Sequence, residues 1–348
     1  MDKPALEVVI RDTVGKDVDF SFHIQDEDCV IILLEVDPER GAMLEDLRQA
    51  VERKVAALDG VSKVQAILTA EKTQDEVKRS KAVPDPHGMN KNPPVDVPAK
   101  QIIVVASGKG GVGKSTVSVN LAAGLVKRGM KVGLLDADIY GPSQPTLVGD
   151  TGYKPILNDQ KKLVPLERYG MKVMSIGFIA DTDKALVWRG PMVQTAFYQM
   201  LRDVDWGSAE DPLDYLIIDL PPGTGDVQLT LAQKVKATGA VIVSTPQDIA
   251  LIDARRAVEM FEKTNVPILG LVENMSVHVC SACGHEDSIF GDGGAEAEAQ
   301  KLDVPFLGAL PLSRVVRECS DSGQPIILSD GHDDVVKAFN SFIDALVL

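Results

Sequence analysis

The sequence is poor in cysteine and in aromatic residues, and it has no long apolar run. Its 348 residues include four cysteines, and aromatic residues make up 5% of the chain. Four cysteines without a framework spacing indicate a reducing compartment, where thiols serve chemistry or packing. No run of 18 apolar residues exists, and the N-terminus lacks the basic and apolar regions of a signal peptide. We therefore expect a cytoplasmic protein without a membrane partner.

Basic residues are also in deficit. The chain has 36 Lys and Arg against 51 Asp and Glu, a formal net charge of −15. A broad nucleic-acid surface needs an excess of positive charge, so we expect no nucleic-acid partner. Hydrophobic residues at 45% and charged residues at 25% are typical of a globular protein, and the length allows two or three domains.

The first part of the chain has the pattern of a small α+β domain. Residues 18–24 alternate between apolar and polar, and residues 29–36 and 61–69 are apolar runs. Between them, apolar residues recur at helical spacing from Leu44 to Leu58. We predict a small α+β domain over residues 1–72, in which a short helix precedes a ββαβ unit. Residues 73–99 are charged and rich in proline, which favours a flexible linker.

Residues 100–348 repeat a strand–loop–helix pattern. Five short runs are apolar on both faces, as in buried parallel strands: IIVVA, KVGLLDAD, YLIIDLPP, AVIVSTP and PILGLVENM. Helical stretches separate them, such as TVSVNLAAGLVKRG, which ends at Gly129. The pattern predicts a doubly wound, mostly parallel α/β sheet over this part of the chain.

The most informative stretch is the glycine-rich loop after the first of these strands. It fits G-x-x-x-x-G-K-[ST] between a strand and a helix, which is the phosphate-binding loop of a P-loop NTPase. Backbone N–H groups and the helix N-terminus would surround phosphate oxygens, Lys114 would reach the β/γ-phosphates, and Ser115 would bind Mg²⁺. The predicted nucleotide-binding residues here are Gly108, Lys109, Gly110, Gly111, Val112, Gly113, Lys114, Ser115 and Thr116.

Three aspartates follow later strands of the same sheet. Asp136 and Asp138 end the next strand, where a carboxylate faces the γ-phosphate. Asp219 follows YLIID, the arrangement that holds Mg²⁺ through water, and residues 220–226 (LPPGTGD) have the glycines of a phosphate-sensing switch. The alternative for an aspartate at such a position is a helix N-cap.

Asn274 ends the last predicted strand, on the side where ligands bind to such sheets. A side-chain amide can pair with the donor and acceptor edge of adenine, so we predict a nucleotide contact. The alternative is an asparagine that forms a turn.

Cys280 and Cys283 form a CxxC pair directly after this strand. Two thiolates supply half of the ligands of a zinc ion or an iron–sulfur cluster. One completion is a zinc ion shared with the flanking His278 and His285, and another alternative is a disulfide. A third is two-fold symmetry, in which two chains supply four thiolates, as a [4Fe–4S] cluster requires. Cys29 is predicted to be a buried packing residue.

Taken together, the motifs resemble the Mrp/ApbC family of ATP-binding iron–sulfur cluster carriers, within the MinD/ParA-like superclass of deviant P-loop proteins. The matching segments cover residues 100–330: SGKGGVGKST, LLDADIYGPS, VWRGPM, DYLIIDLPPGTGD, STPQDIAL, ENMS, CSAC, IFG and DSGQPI. The resemblance implies that Lys109 crosses a dimer interface to the partner's nucleotide; the alternative is a solvated lysine. It also implies that Asp138 orients the attacking water and that Asp136 supports the loop or the metal.

The N-terminal domain resembles the small iron–sulfur-assembly domain that often precedes this ATPase. Its loop EVDPERGAM has no cysteine where many free-standing relatives have one, so an adaptor or regulatory role is implied.

The resemblance implies an Mg²⁺-dependent ATPase, with Lys109, Lys114 and Asp138 as catalytic residues, that carries a [4Fe–4S] cluster. Two subunits of a homodimer would bridge the cluster through Cys280 and Cys283, and scaffold and recipient apoproteins would be the partners. Alternatives are a zinc-bridged dimeric ATPase, a reductase like the nitrogenase iron protein, and a Min/Par-type positioning ATPase. The acidic C-terminus and the net charge disfavour the last, because it needs a membrane or DNA surface.

Overall fold

The computed structural model describes residues 3–15, 18–25, 29–35, 43–58, 60–61, 63–69, 95–179, 190–280 and 282–347. The chain divides into two compact units. The first unit comprises Met1–Pro93, Lys154–Val164 and Ile179–Asp205, and the second comprises Pro94–Tyr153, Pro165–Phe178 and Trp206–Leu348. Most of the linker predicted at 73–99, up to residue 94, lies outside the described residues.

Helices and strands alternate through most of the described chain. In chain order they are α1 (Lys3–Val14), β1 (Asp19–Gln25), β2 (Cys29–Glu35), α2 (Met43–Val55), β3 (Lys63–Thr69), β4 (Ala99–Ala106), α3 (Lys114–Lys127), β5 (Val132–Asp136), α4 (Gln144–Leu147), β6 (Leu166–Arg168), β7 (Met171–Ser175), α5 (Gly190–Arg202), β8 (Leu213–Asp219), α6 (Asp226–Lys234), β9 (Gly239–Ser244), α7 (Asp248–Lys263), β10 (Ile268–Glu273), β11 (His278–Val279), β12 (Glu286–Asp287), α8 (Gly294–Leu302), β13 (Phe306–Ala309), α9 (Arg314–Asp321) and α10 (Asp333–Leu346).

The first unit contains the predicted ββαβ arrangement with a helix in front. β1 pairs with β2 antiparallel, and β2 pairs with β3 parallel. α1 is 12 residues long and packs against α2, and its apolar Leu6 and Ile10 are fully buried. Cys29 is buried in β2, which confirms its prediction as a packing residue. α5 and residues 154–164 also belong to this unit, an assignment that the sequence did not predict.

The second unit is built on an eight-stranded sheet in the order β13-β10-β9-β4-β8-β5-β7-β6. All neighbouring strands pair in parallel except β6, which is antiparallel to β7 at the edge. Every residue of β5 and β9 is buried, as their continuous apolar sequence predicts for strands covered on both faces. The predicted doubly wound, mostly parallel fold is confirmed.

The parallel pairing brings the carboxyl ends of the central strands to one edge of the sheet. The chain leaves β4 into the glycine-rich loop, while Asp136, Asp219 and Glu273 end β5, β8 and β10. Ligands bind at this edge in open α/β sheets, so the fold gathers the predicted site residues there. Across the part of the chain that the structure describes, no helix combines the length and the apolar character needed to cross a bilayer.

Candidate functional site

The glycine-rich loop connects β4 to α3 and encloses one side of a cavity. Ser107 Oγ donates to the Lys109 carbonyl at 2.9 Å, and Gly223 N donates to the Ser107 carbonyl at 2.9 Å. The second bond joins the loop to the predicted switch at residues 220–226. The cavity has a volume of about 470 Å³ and is lined by Ser107, Gly110, Gly111, Gly113, Lys114, Ser115, Thr116, Asp138, Pro142, Ser143, Thr146, Leu147, Pro222, Ser320 and Asp321.

Lys114, the first residue of α3, is buried against the acid that ends β8. Its Nζ lies 2.6 Å from Asp219 Oδ1, and the two side chains are 6% and 0% exposed. Ser118 Oγ donates to the same oxygen at 3.0 Å, and Lys114 Nζ is 3.4 Å from Ser115 Oγ. The ammonium group therefore lies between the carboxylate and the predicted Mg²⁺ ligand, at the floor of the cavity. A phosphate group entering the loop would compete with Asp219 for it.

Asp136 is fully buried beside Asp219, its register partner on the neighbouring strand. Its carboxylate accepts backbone N–H bonds from Asp138, Ser143 and Gln144, each at 3.1 Å, and so holds the loop after β5. Burial, followed by the negative charge of Asp219, raises the pKa of Asp136 to about 7. Hydrogen bonds from Gln144 and Ser175 and the positive charge of Lys114 oppose this rise. Burial also raises the pKa of Asp138.

The raised pKa of Asp136 predicts how stability varies with pH. The unfolded carboxyl group loses its proton near its ordinary pKa, while the folded one keeps it up to about pH 7. Its contribution to the free energy of unfolding is therefore complete below about pH 4 and falls as the pH rises to 7. We expect Asp136→Asn to remove about 2 kcal/mol of this fall between about pH 5 and pH 8. Urea unfolding of the ligand-free protein at a series of pH values, monitored by fluorescence, measures the free energy of unfolding of both proteins.

The control for this experiment is Glu167→Gln, which removes an exposed carboxylate from the edge strand β6. It should keep the pH dependence of the wild type. An Asp136→Asn variant whose unfolding free energy varied with pH as steeply as that of the wild type would contradict the assignment.

Asn274 fastens the phosphate loop to the end of β10. Its Nδ2 donates to the Val112 carbonyl at 2.8 Å, and the residue is 8% exposed. A Cβ atom on Gly113 would lie 2.1 Å from this Nδ2, and Gly113 also has φ +82°, a conformation that favours glycine. The amide group therefore contacts the loop backbone, while the predicted contact with adenine stays a prediction.

We expect Gly113→Ala to destabilise the protein by on the order of 2 kcal/mol and to weaken nucleotide binding, because strain and a clash with Asn274 add together. The matched control is Gly129→Ala, since Gly129 has φ +81° but a Cβ atom there would meet nothing within 4 Å. That variant should lose about 1 kcal/mol from strain alone. Unfolding midpoints and nucleotide titrations compare the two variants. An equal loss of stability in Gly113→Ala and Gly129→Ala would contradict the proposed clash.

Cys280 and Cys283 lie in a small hairpin formed by β11 and β12. Cys280 N donates to the His285 carbonyl at 2.9 Å, and Gly284 N donates to the Cys280 carbonyl at 2.8 Å. Backbone N–H groups of Ala282 and Cys283 also bond to the Cys280 sulfur and, together with the Cys283 side chain, lower the pKa of its thiol. Cys283 is exposed. The hairpin thus favours the thiolate form, which is the form that binds metals.

The two histidines of the hairpin do not complete a metal site with the two cysteines within the described part of the chain. His278 Nδ1 lies 3.0 Å from the Leu312 carbonyl, and His285 is exposed. Among the residues that the structure describes, no group of three or more His, Cys, Asp or Glu is placed to hold a metal ion. The single-chain zinc site with His278 and His285 is thus unsupported there. Cys319 is half-exposed in α9.

The segments before and after the hairpin are anchored near the end of β10. Before the hairpin, Ser276 N donates to Leu310 O at 3.0 Å, and Leu312 N donates to Val277 O at 2.9 Å. After the hairpin, at the start of α8, Ala295 N donates to Glu273 Oε2 at 2.8 Å. Burial raises the pKa of Glu273, and the backbone bonds that it accepts oppose the rise. The end of β10 therefore holds the start of α8 through Glu273 and the phosphate loop through the next residue, Asn274.

The predicted residues fall into three groups. Seven line the cavity, namely Gly110, Gly111, Gly113, Lys114, Ser115, Thr116 and Asp138. Val112, Asp136, Asp219 and Asn274 are buried around it, while Gly108 and Lys109 are half-buried at the start of the loop. Cys280 and Cys283 lie apart, on the hairpin. The sequence analysis missed Ser118 and Gln144, which both bond to Asp219, because the G-K-S motif gives a signal only for the loop itself.

Residues 98–347 match the model of a protein family in the ParA group, which is described as "NUBPL iron-transfer P-loop NTPase". The chain belongs to this family. A similar protein is the iron-sulfur cluster carrier protein of Pseudomonas fragi, 47% identical over 286 residues that make up 82% of this chain and 94% of the relative. Membership of the iron-transfer P-loop NTPase family confirms the resemblance drawn from the motifs.

Solved structures agree with this placement. A nucleotide-binding protein from Archaeoglobus fulgidus in complex with ADP is 41% identical, with a TM-score of 0.57, over 65% of this chain and 88% of that one. The cell division ATPase MinD of Pyrococcus furiosus is 23% identical, with a TM-score of 0.54, over 70% and 97% of the two chains. At 23% identity, the likeness to MinD is evidence for the fold only.

Proposed function

We propose that the protein carries iron–sulfur clusters to recipient apoproteins, coupled to ATP binding and slow hydrolysis. The observation that supports this most is the shared anchor at the end of β10. Asn274 bonds to the phosphate loop, and the hairpin of Cys280 and Cys283 begins four residues later. A change in the nucleotide loop is thus transmitted through a short, hydrogen-bonded segment to the thiolates. The name of the Pseudomonas fragi relative agrees with this role.

Two chains are proposed to share one cluster. Each hairpin supplies two thiolates, and a [4Fe–4S] cluster takes four. Apolar side chains are exposed beside the cysteines in sequence, Val279 at 47% and Ile289 at 54%, and on α7, Ile249 at 69% and Ile252 at 46%. Gly294, the first residue of α8, packs against Leu251 of α7. Such a group of exposed apolar residues suits the interface of a homodimer.

The nucleotide site is proposed to hold Mg²⁺ with ATP. Ser115 and Asp219 offer the hard oxygen ligands that this ion prefers, and both lie beside the Lys114 ammonium. When bound, Mg²⁺ neutralises charge on the phosphate oxygens. Lys114 binds the β/γ-phosphates, Asp138 orients the attacking water from the cavity wall, and Lys109 reaches the nucleotide of the partner subunit. Scaffold proteins would load the carrier, and the N-terminal unit would act as an adaptor.

A transfer assay tests the proposal. Cluster-loaded protein is mixed anaerobically with an apo-enzyme that needs a [4Fe–4S] cluster, and the recovered enzyme activity is followed with and without Mg·ATP. A chelator of free iron is present, so that only direct transfer counts. We expect activity to return in the chelator's presence and ATP to change the rate. Recovery that the chelator abolished would show release of free iron and would contradict a carrier function.

A zinc-bridged dimeric ATPase is the second candidate. The N–H bonds to the Cys280 sulfur stabilise any metal-bound thiolate, so the hairpin chemistry suits zinc as well as iron. Metal analysis after anaerobic reconstitution separates the two, because a bridging zinc site holds about one ion per dimer and no sulfide.

A further inference from the structure

Gln144 is a fully buried glutamine that joins two residues predicted to hold Mg²⁺, Ser115 as a direct ligand and Asp219 through water. Its Nε2 donates to the Ser115 carbonyl at 3.1 Å and to Asp219 Oδ2 at 2.9 Å. Both partners can only accept hydrogen bonds, so the amide must turn its nitrogen toward them. One side chain therefore fixes the residue that offers a hydroxyl ligand relative to the residue that offers a carboxylate.

The backbone of the same residue holds the other acid at the sheet edge. Gln144 N and Ser143 N each donate to Asp136 Oδ2 at 3.1 Å. Asp136 and Asp219 are register partners on neighbouring strands, and their charges disfavour each other. Gln144 thus bonds to both carboxylates at once, through its main chain to Asp136 and through its side chain to Asp219.

Two buried polar atoms at this point have no hydrogen-bond partner. In the described part of the chain, Gln144 Oε1 and Ser143 Oγ are such atoms, and they come from adjacent residues. Ser143 also lines the nucleotide cavity. Buried acceptors are normally satisfied, and a protein-bound Mg²⁺ usually keeps several of its waters, which are hydrogen-bond donors. The two oxygens therefore fit the surroundings of a hydrated cation.

We propose that Gln144 is a positioning residue for the metal: it orients Asp219 and the Ser115 backbone so that Mg²⁺ binds with the nucleotide. This inference rests on the proposed Mg·ATP site. When Lys114 exchanges Asp219 for phosphate, Asp219 keeps the bonds from Gln144 and Ser118 and so keeps its orientation. Without Gln144, the carboxylate would lose this second support.

The test measures metal affinity rather than turnover. Binding of a fluorescent ATP analogue is titrated with Mg²⁺ for the wild type, Gln144→Leu and Gln144→Glu. The leucine removes both donated bonds, and the glutamate keeps the shape but turns an acceptor toward two acceptors. Loss of a residue that orients a metal ligand costs roughly 10–100-fold in metal affinity, and we expect that loss in both variants. Nucleotide binding in excess chelator should stay at the wild-type level.

The matched control is Gln199→Leu, which removes another buried glutamine, on α5, and should leave the Mg²⁺ titration unchanged. Wild-type Mg²⁺ affinity in Gln144→Leu and Gln144→Glu would overturn the proposal. Equal loss of nucleotide binding with and without chelator would also overturn it, because the role would then be general support of the fold. A wild type that bound no nucleotide would instead disprove the proposed Mg·ATP site.

Discussion

Replacing Lys114 with alanine or glutamine is expected to lower ATP hydrolysis by on the order of a thousandfold and to leave cluster binding intact. The reason is the position of its ammonium group, buried 2.6 Å from Asp219 and next to Ser115 at the floor of the cavity. The cysteine hairpin needs no phosphate to present its thiolates. Phosphate release and iron content, measured on the same sample, check both halves of the prediction.

The two Lys114 variants separate catalysis from folding. Alanine leaves Asp219 buried without its cation, which costs about 3–5 kcal/mol in comparable buried pairs. Glutamine can still donate a hydrogen bond to the carboxylate, so it keeps more of the stability. Lys127→Gln, at the far end of the same helix, should behave like the wild type. A folded Lys114→Gln protein that hydrolysed ATP at the wild-type rate would contradict the assignment of the phosphate loop.

Replacing Cys280 or Cys283 with alanine is expected to have the opposite effect. Each change halves the thiolates that a chain supplies, so iron and sulfide after anaerobic reconstitution should fall to near background. ATP hydrolysis should stay within about twofold of the wild type, because the hairpin lies outside the nucleotide cavity. Iron and sulfide analysis, the absorbance of the cluster and phosphate release give the three readouts.

Cys319→Ala is the matched cysteine control, since Cys319 is also partly exposed but lies in α9. It should keep the cluster. If ATP hydrolysis vanished in Cys283→Ala while the protein stayed folded, the separation of the nucleotide and cluster roles would be wrong.

Local sequence was enough to predict the phosphate loop, because its strand, glycines and helix follow one another without interruption. The same holds for the five central strands, whose apolar runs are long enough to recognise. The edge strands β6 and β13, and β7 next to β6, were missed, and they have only three to five residues each. A short strand at or next to the edge of the sheet carries too few buried residues for a recognisable pattern.

Long-range contacts explain what the sequence left out of the site. Gln144 bonds to Asp219 across 75 positions and to Ser115 across 29, and no spacing rule connects such residues. The segment of residues 154–164 looks like part of the nucleotide domain in sequence order, yet it packs with the first unit, where Lys63 Nζ bonds to the Leu157 carbonyl at 3.2 Å. Tertiary contacts therefore determine both the role of Gln144 and the unit to which residues 154–164 belong.

The prediction that the cysteine hairpin binds a metal depended on the ligand chemistry of thiolates and not on spacing alone. CxxC indicated half of a metal site, and the structure adds backbone N–H bonds that favour the Cys280 thiolate. The other half of the ligands was inferred from symmetry and stays a proposal. The exposed apolar residues on the hairpin and on α7 are consistent with that inference.

Iron and sulfide content, measured together with the molecular mass of the same anaerobic sample, tests the central claim most directly. We predict about four iron and four sulfide ions for every two chains, in a particle with the mass of a dimer. An iron-loaded protein with the mass of a single chain, whose metal ligands all came from that chain, would contradict the shared cluster and with it the proposed carrier.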